Sequence, residues 1–296
     1  MTVEMFSPID LSDSVLSLYD KGLPPGDSTG WPMLDQNYTV GLGQWTLITG
    51  IPSRGKSEFL DALTVNLLGQ GWHFCLFSPE NQPHELHIAK LLEKFRKQPF
   101  RKGIHERMSK EGVIDTMANI SHQLRFLRGN SEFNETPNLA DILNPCADLI
   151  EKAWHRKKVG IVIDPWNELD HARPTNLTET EYISRTLSKL RTFARDWNCH
   201  IFLVAHPKML QKDKDGSTPV PRPYDVSGSA HWYNKADNCI TVHRDLFNDP
   251  HLVDIHVQKI RFRHMGKPGI CTLHYNVIDG TYAETATSWA TAGQAF

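Results

Sequence analysis

Gly50-Ile51-Pro52-Ser53-Arg54-Gly55-Lys56-Ser57 reads G-x-x-x-x-G-K-S, the pattern of a phosphate-binding P-loop. An apolar strand, Trp45-Thr46-Leu47-Ile48-Thr49, runs into it, and a helix from Glu58 to Leu68 runs out. The order matters, because glycines let the loop turn its N–H groups inward and the helix aims its positive end at the same point. Gly50, Pro52, Ser53, Arg54 and Gly55 are therefore expected to line a phosphate pocket. Lys56 would reach the β/γ oxygens, and the Ser57 hydroxyl would stand on Mg²⁺. A chance Gly-rich turn would not come with both flanking elements.

Composition sets the frame. A chain of 296 residues, 40% apolar and 22% charged, has room for one large α/β domain with extensions. A formal net charge of -2 argues against an overall basic nucleic-acid binder, yet leaves room for a ring that grips nucleic acid through locally placed Lys and Arg. Cys75, Cys146, Cys199, Cys239 and Cys271 form no C-x-x-C pair, so neither a zinc site nor a disulfide scaffold is expected, and a reducing compartment fits. No run is of membrane-spanning length, and Glu4, Asp10, Asp13 and Asp20 are wrong for a secretory or transit peptide. A phage or bacterial cytoplasm is the expected location; a mitochondrial matrix protein without its transit peptide would read the same.

Outward from the loop, residues 1–40 read as an extension. It holds a short linker helix (Val15, Leu16, Leu18, Tyr19) and the breaker Gly22-Leu23-Pro24-Pro25-Gly26. Residues 41–285 read as the ATPase core and 286–296 as a tail. After the P-loop helix, the strand His73 to Ser78 ends at Pro79-Glu80-Asn81, which sets a carboxylate just past a core strand. Residues 84–121 read as helices whose basic patch (Lys94, Arg96, Lys97, Arg101, Lys102) is a solvated face. A strand from Gln123 to Leu127 and a helix from Leu139 to Trp154 follow.

Val159-Gly160-Ile161-Val162-Ile163-Asp164 has the Walker B form, an apolar strand ending in an acid suited to Mg²⁺. A loop with Asn176-Leu177-Thr178-Glu179 caps a further helix, and the strand His200 to Ala205 runs into His206-Pro207. This alternation predicts an α/β fold with a mostly parallel central sheet and helices on both faces. Asn238 to His243, Leu252 to Phe262 and Ile270 to Tyr275 read as antiparallel hairpins added at the sheet edge. Between them and the core lies a long connection, residues 207–232, of the length that is usually functional or disordered.

Taken together, these segments resemble the RecA-like hexameric replicative helicases, in particular the Twinkle and bacteriophage primase-helicase branch related to DnaB. The resemblance covers roughly residues 15–285. It implies a RecA-like P-loop NTPase that uses ATP or another NTP with Mg²⁺ and assembles as a homo-oligomer, a hexamer. Such a ring moves 5′ to 3′ on single-stranded DNA and opens forked duplex, with a primase domain or a loader as a further partner and no membrane association. It also implies roles: Glu80 polarises the attacking water, Asp164 is the Mg²⁺-associated acid, and His206 senses the γ-phosphate. Lys259-Ile260-Arg261-Phe262 resembles the element that reaches a neighbouring subunit's nucleotide, with Arg261 as the finger and Arg263, two residues on, as its competitor. Arg244 and Tyr275 match positions that contact the base, with a place in the core as the other reading of Tyr275. Residues 207–232 match the central-channel loop, with Lys208, Lys212, Lys214 and Ser227-Gly228-Ser229 as DNA contacts.

Two other readings fit the same fold: a recombinase-type filament ATPase that pairs strands without unwinding, and a nucleotide-switched assembly module that hydrolyses poorly. A switch that does not turn over has no need of both Glu80 and Arg261, which counts against the second.

Overall fold

The strand entering the P-loop, β1 (Gln44–Thr49), is buried along its whole length, as a strand covered on both faces must be. It belongs to a sheet with β2 (His73–Phe77), β3 (Leu124–Phe126), β4 (Val159–Ile163), β5 (His200–Val204), β6 (Asn238–His243), β7 (Leu252–Ile260), β8 (Gly269–Tyr275) and β9 (Tyr282–Glu284). The computed structural model describes residues 5–129, 136–211, 218–246 and 248–284. The strand order is β3-β2-β4-β5-β1-β6-β7-β8-β9. Pairing is parallel from β3 through to β6 and antiparallel from β6 onward.

The mostly parallel sheet is as the sequence predicts, with one shift at the edge. The segment from Asn238, expected to open the hairpins, pairs parallel with β1 (Ile48 opposite Ile240), so the antiparallel addition begins only at β7. The reason is burial: Asn238 to Val242 lie wholly inside, as β-strands next to the sheet centre do, whereas β7 alternates buried and half-buried residues.

Side chains leave each strand alternately to two sides, and two cores result. On one side Ile48, Phe74, Val162 and Phe202 meet α3 (Lys56–Gly69), α4 (His84–Arg96) and α5 (Lys110–Ile120). On the other Leu47, Cys75, Ile161 and Leu203 meet α6 (Leu139–Lys152), α7 (Glu179–Asp196) and α8 (His231–Lys235). The lone glycine in β4 has a packing cause. A Cβ on Gly160 would stand 2.2 Å from Phe74 Cε1, where the ring stacks between Trp72 and Phe202.

The N-terminal stretch divides in two. No residue of α1 (Ser12–Lys21) is buried. Residues 27–40, including the short α2 (Pro32–Asp35), pack into the first core through Trp31, Leu34, Tyr38 and Val40. Each such side chain contributes roughly 1.5–3 kcal/mol of burial. Asp27 bridges Val40, and Trp31 Nε1 donates to the carbonyl of Tyr282 at 3.1 Å. Residues 286–296, read as a tail, lie outside the described residues.

Candidate nucleotide-binding site

Parallel strands that run side by side end on the same edge, and the candidate residues follow those ends. The P-loop leaves β1, Glu80 lies three residues past β2, Asp164 follows β4, His206 comes just after β5 and Arg244 follows β6. The edge is the place where open α/β sheets bind ligands.

The loop is built for close approach. Gly50 has φ 149°, and a Cβ there would lie 2.3 Å from the Val242 carbonyl oxygen. Ser53 and Gly55 take left-handed conformations at φ 61° and 92°. Gly55 is the N-cap of α3, and a side chain on it would start 3.7 Å from the Tyr282 hydroxyl, itself buried without a hydrogen-bond partner. Lys56 is buried and folds its Nζ back onto the carbonyls of Gly50 (3.0 Å) and Ile51 (3.1 Å). Burial holds its ammonium below the ordinary lysine range, opposed by the carboxylates of Asp164 and Glu80. Arg54 Nη1 donates to the carbonyl of Arg244 at 2.9 Å, tying loop to strand β6. Pro52 sits exposed at the loop tip.

Asp164 is held where β2 and β4 end together, its N–H donating to Phe77 O at 2.9 Å. Burial pushes its carboxyl up to about 6, against a hydrogen bond from the Ser57 hydroxyl and the charge of Lys56. A carboxylate and a hydroxyl at the ends of neighbouring elements are hard oxygen donors of the kind Mg²⁺ takes. Among the described residues no cluster of three or more His, Cys, Asp or Glu forms a metal cage, and Mg²⁺ characteristically uses few protein oxygens and completes its shell with phosphate and water. The residues present therefore fit the ion. Across the site His206 Nε2 stands 3.7 Å from Glu80 Oε1. Burial first, then the Lys56 charge, hold the imidazole below its ordinary value, while Glu80 works the other way.

At the β6 and β8 ends the Arg244 guanidinium lies 4.6 Å over the Tyr275 ring. Lys259 and Arg261 make their contacts at the other end of the molecule's antiparallel edge. Lys259 Nζ donates to the carbonyls of Tyr233 (2.6 Å) and Ala236 (2.7 Å), at the C-terminal end of α8. Arg261 Nη1 pairs with Asp237. Of the expected DNA contacts, Lys208 is exposed, and Lys212 and Lys214 lie outside the described residues. Ser227 O accepts from Trp232 Nε1, Gly228 O from Thr180 Oγ1, and Ser229 Oγ from His231 N, which fixes that segment beside α7 and α8.

Sequence reasoning missed the charges around the P-loop helix. Lys94, assigned to a solvated face, is 4% exposed and bonds Glu58 Oε2 at 2.6 Å, while Asp61 bonds His87 at 2.8 Å. The available signal was spacing: Glu58 and Asp61, like Lys90 and Lys94, stand three or four apart and so share a helix face.

No protein-family model matches the chain. Over 291 residues, 95% of its length, it is 39% identical to a Twinkle homolog protein, chloroplastic/mitochondrial, of Arabidopsis thaliana, and it spans 40% of that protein. Among solved structures, an isolated ATPase domain superposes with a TM-score of 0.77 at 18% identity, covering 93% of this chain and 98% of that one. A DnaB-like replicative helicase, described with its interactions with primase, gives 0.74 at 19% identity, covering 95% and 68%. At such identities the two structures speak for the fold, and the plant protein speaks for kinship. Over nearly its whole length the chain is thus similar in sequence to part of a Twinkle homolog, and its fold is the one that those two helicase and ATPase-domain structures share.

Proposed function

We propose that this domain hydrolyses ATP or another NTP and uses the energy to move along single-stranded DNA and separate the duplex, as one member of a homo-oligomeric ring. The observation that carries the reading is the pairing of His206 with Glu80 at 3.7 Å beside a buried Lys56 on which the charges of Asp164 and Glu80 both act. A catalytic carboxylate, a sensor and a phosphate-binding lysine in mutual reach suit phosphoryl transfer to water.

In this reading the P-loop N–H groups and Lys56 hold the phosphates. Ser57 and Asp164 hold Mg²⁺, which neutralises charge on the phosphate oxygens when bound. Glu80 accepts a proton from the attacking water, and His206 reports whether the γ-phosphate is present. Arg244 and Tyr275 offer a flat, cationic surface to the base. Lys259 and Arg261, whose side chains bond or pair with residues 233–237, act on a neighbouring copy's nucleotide.

Coupling to DNA is supported by the neck of the channel loop. Pro207 bridges Val226, and Lys208 N donates to Asp225 O at 2.8 Å, so the loop closes on the residue next to His206. Lys208, Lys212, Lys214 and Ser227-Gly228-Ser229 are proposed to hold backbone phosphates without reading sequence. A primase as partner is proposed because the DnaB-like helicase is described with its interactions with one, and a loader because the sequence resembles ring helicases. No helix among the described residues is long and apolar enough to cross a membrane; the cytoplasmic location stays a reading of the sequence, since the plant relative is named for two organelles.

The test is strand separation of a forked DNA with a 5′ single-stranded tail, with wild type and Lys56→Ala side by side. Unwinding by wild type alone is expected. Hydrolysis stimulated by single-stranded DNA without unwinding would favour the filament ATPase instead.

A further inference from the structure

We propose that Lys90 is a positioning residue for hydrolysis, holding the loop that presents Glu80 against the P-loop helix α3. The inference rests on the reading of Glu80 as the residue that polarises water.

The geometry is a three-way junction. Lys90 Nζ lies 2.7 Å from Glu58 Oε1, 3.5 Å from Asp61 Oδ2 and 3.2 Å from Asn81 Oδ1. Glu58 directly follows Ser57, and Asn81 directly follows Glu80. One ammonium thus joins the residue after the metal-site serine to the residue after the candidate base. Glu80 itself is half exposed and meets His206 only at 3.7 Å, so its place depends on how the loop backbone is held. Beside Lys90, the loop has the turn bond from Asn81 N to Ser78 O at 3.1 Å.

The surrounding charges separate this task from simple stability. Without Lys90, Glu58 keeps Lys94 at 2.6 Å, and Asp61 keeps His87 at 2.8 Å. Each carboxylate thus keeps a partner on one oxygen, Glu58 on Oε2 and Asp61 on Oδ1, which holds α3 in its setting. Asn81 is the member whose side-chain bond is lost, and it is the one beside Glu80. Burial works against the Lys90 charge, but Asp61 and Glu58 outweigh it and hold the ammonium above the ordinary lysine range. Lys90 therefore stays a cation at neutral pH. A misplacement of about 1 Å at a reacting centre can cost about 10²-fold in rate, which is the scale on which a slack Glu80 loop would register.

Steady-state ATP hydrolysis by the full chain is compared for wild type, Lys90→Met, Lys90→Arg, Asn81→Ala, the Lys90→Met/Asn81→Ala pair and Glu80→Gln. ATP affinity and melting temperature are measured for each. Expected is a loss in kcat of about ten- to a hundredfold for Lys90→Met, with KM, ATP affinity and melting temperature near wild type. Asn81→Ala should match it, the double variant should lose no more, and Lys90→Arg should recover most of the rate. Wild-type kcat in Lys90→Met while Glu80→Gln is inactive would overturn the positioning role alone. An active Glu80→Gln would remove the reading on which it rests. Additive losses in the double variant, or a fall in affinity or melting temperature matching the loss in kcat, would make Lys90 a structural ion pair and also overturn it.

Discussion

Arg261 Nη1 stands 3.2 Å from Oδ1 of Asp237, a carboxylate whose side chain is 1% exposed. A partly exposed guanidinium is thus fixed on a buried charge, and Asp237 has other support: its Oδ2 accepts from Trp45 N at 3.2 Å, and Arg191 Nε lies 3.7 Å from Oδ1. If Arg261 acts as the proposed finger, being held in place beforehand lowers the cost of meeting a second subunit.

Arg261→Ala should therefore cost little in folding, about 1 kcal/mol, because Asp237 keeps its remaining partners. It should nonetheless lower DNA-stimulated hydrolysis by about 10³-fold or more. Mixing it with Lys56→Ala subunits should restore part of the rate, at interfaces that join an intact P-loop to an intact finger. Absence of recovery in freely mixing oligomers would count against action in trans and move attention to Arg263.

Asp164 gives a pH signature. Its carboxyl is raised from 3.8 to about 6 by burial. Between those values the folded protein keeps a proton that the unfolded chain has lost, so stability falls as pH rises, and it levels off above about 6. The full shift corresponds to roughly 3 kcal/mol. Asp164→Asn, free of this penalty, should gain stability over wild type across that window, read as a growing difference in melting temperature, while losing hydrolysis. Comparing the two proteins matters, because buried His200, lowered to about 4, contributes a slope of opposite sign.

Gly50→Ala places a methyl group 2.3 Å from the Val242 carbonyl, so loop and β6 must part. Strain at such a position costs about 1–3 kcal/mol, seen as a lower urea midpoint, and nucleotide binding should weaken with it. Gly69→Ala is the control of opposite sign. Nothing lies within 4 Å of its added carbon, and a helical Gly→Ala change stabilises by about 0.5–1 kcal/mol.

Lys208→Ala tests the channel loop. If this exposed lysine holds one phosphate, the slope of log affinity against log salt for single-stranded DNA should shrink by about one. Basal hydrolysis without DNA should stay at the wild-type rate. An unchanged slope would remove Lys208 from the DNA contacts.

The parts of the fold legible in the sequence were those that depend on local order. Gly50 to Ser57 between a strand and a helix, and Asp164 at the end of an apolar run, carry their geometry with them, as does Thr178, whose hydroxyl caps α7 by accepting from Glu181 N. What escaped depends on long-range partners. Lys94 reads as a surface cation until Glu58, 36 residues earlier, is seen against it. Asn238 reads as the start of a hairpin until β1 lies alongside, and Asp237 carries no local mark of the arginines that meet on it. Residues 27–40 look like a lead-in because their hydrophobic partners, such as Tyr282, come at the far end of the chain.

The hydrogen bond from Trp31 to Tyr282 spans 251 positions, and Met33 N is likewise bound by Glu284. On a ribosome, Trp31 emerges long before its partner has been made. At about 5–20 residues per second the wait is tens of seconds, during which Trp31 can stack on Phe59 but lacks its partner on β9. The first core can close only after the last strand leaves the exit tunnel. Synthesis rate and chaperone supply, more than final stability, should then govern how much of this protein a cell recovers in folded form.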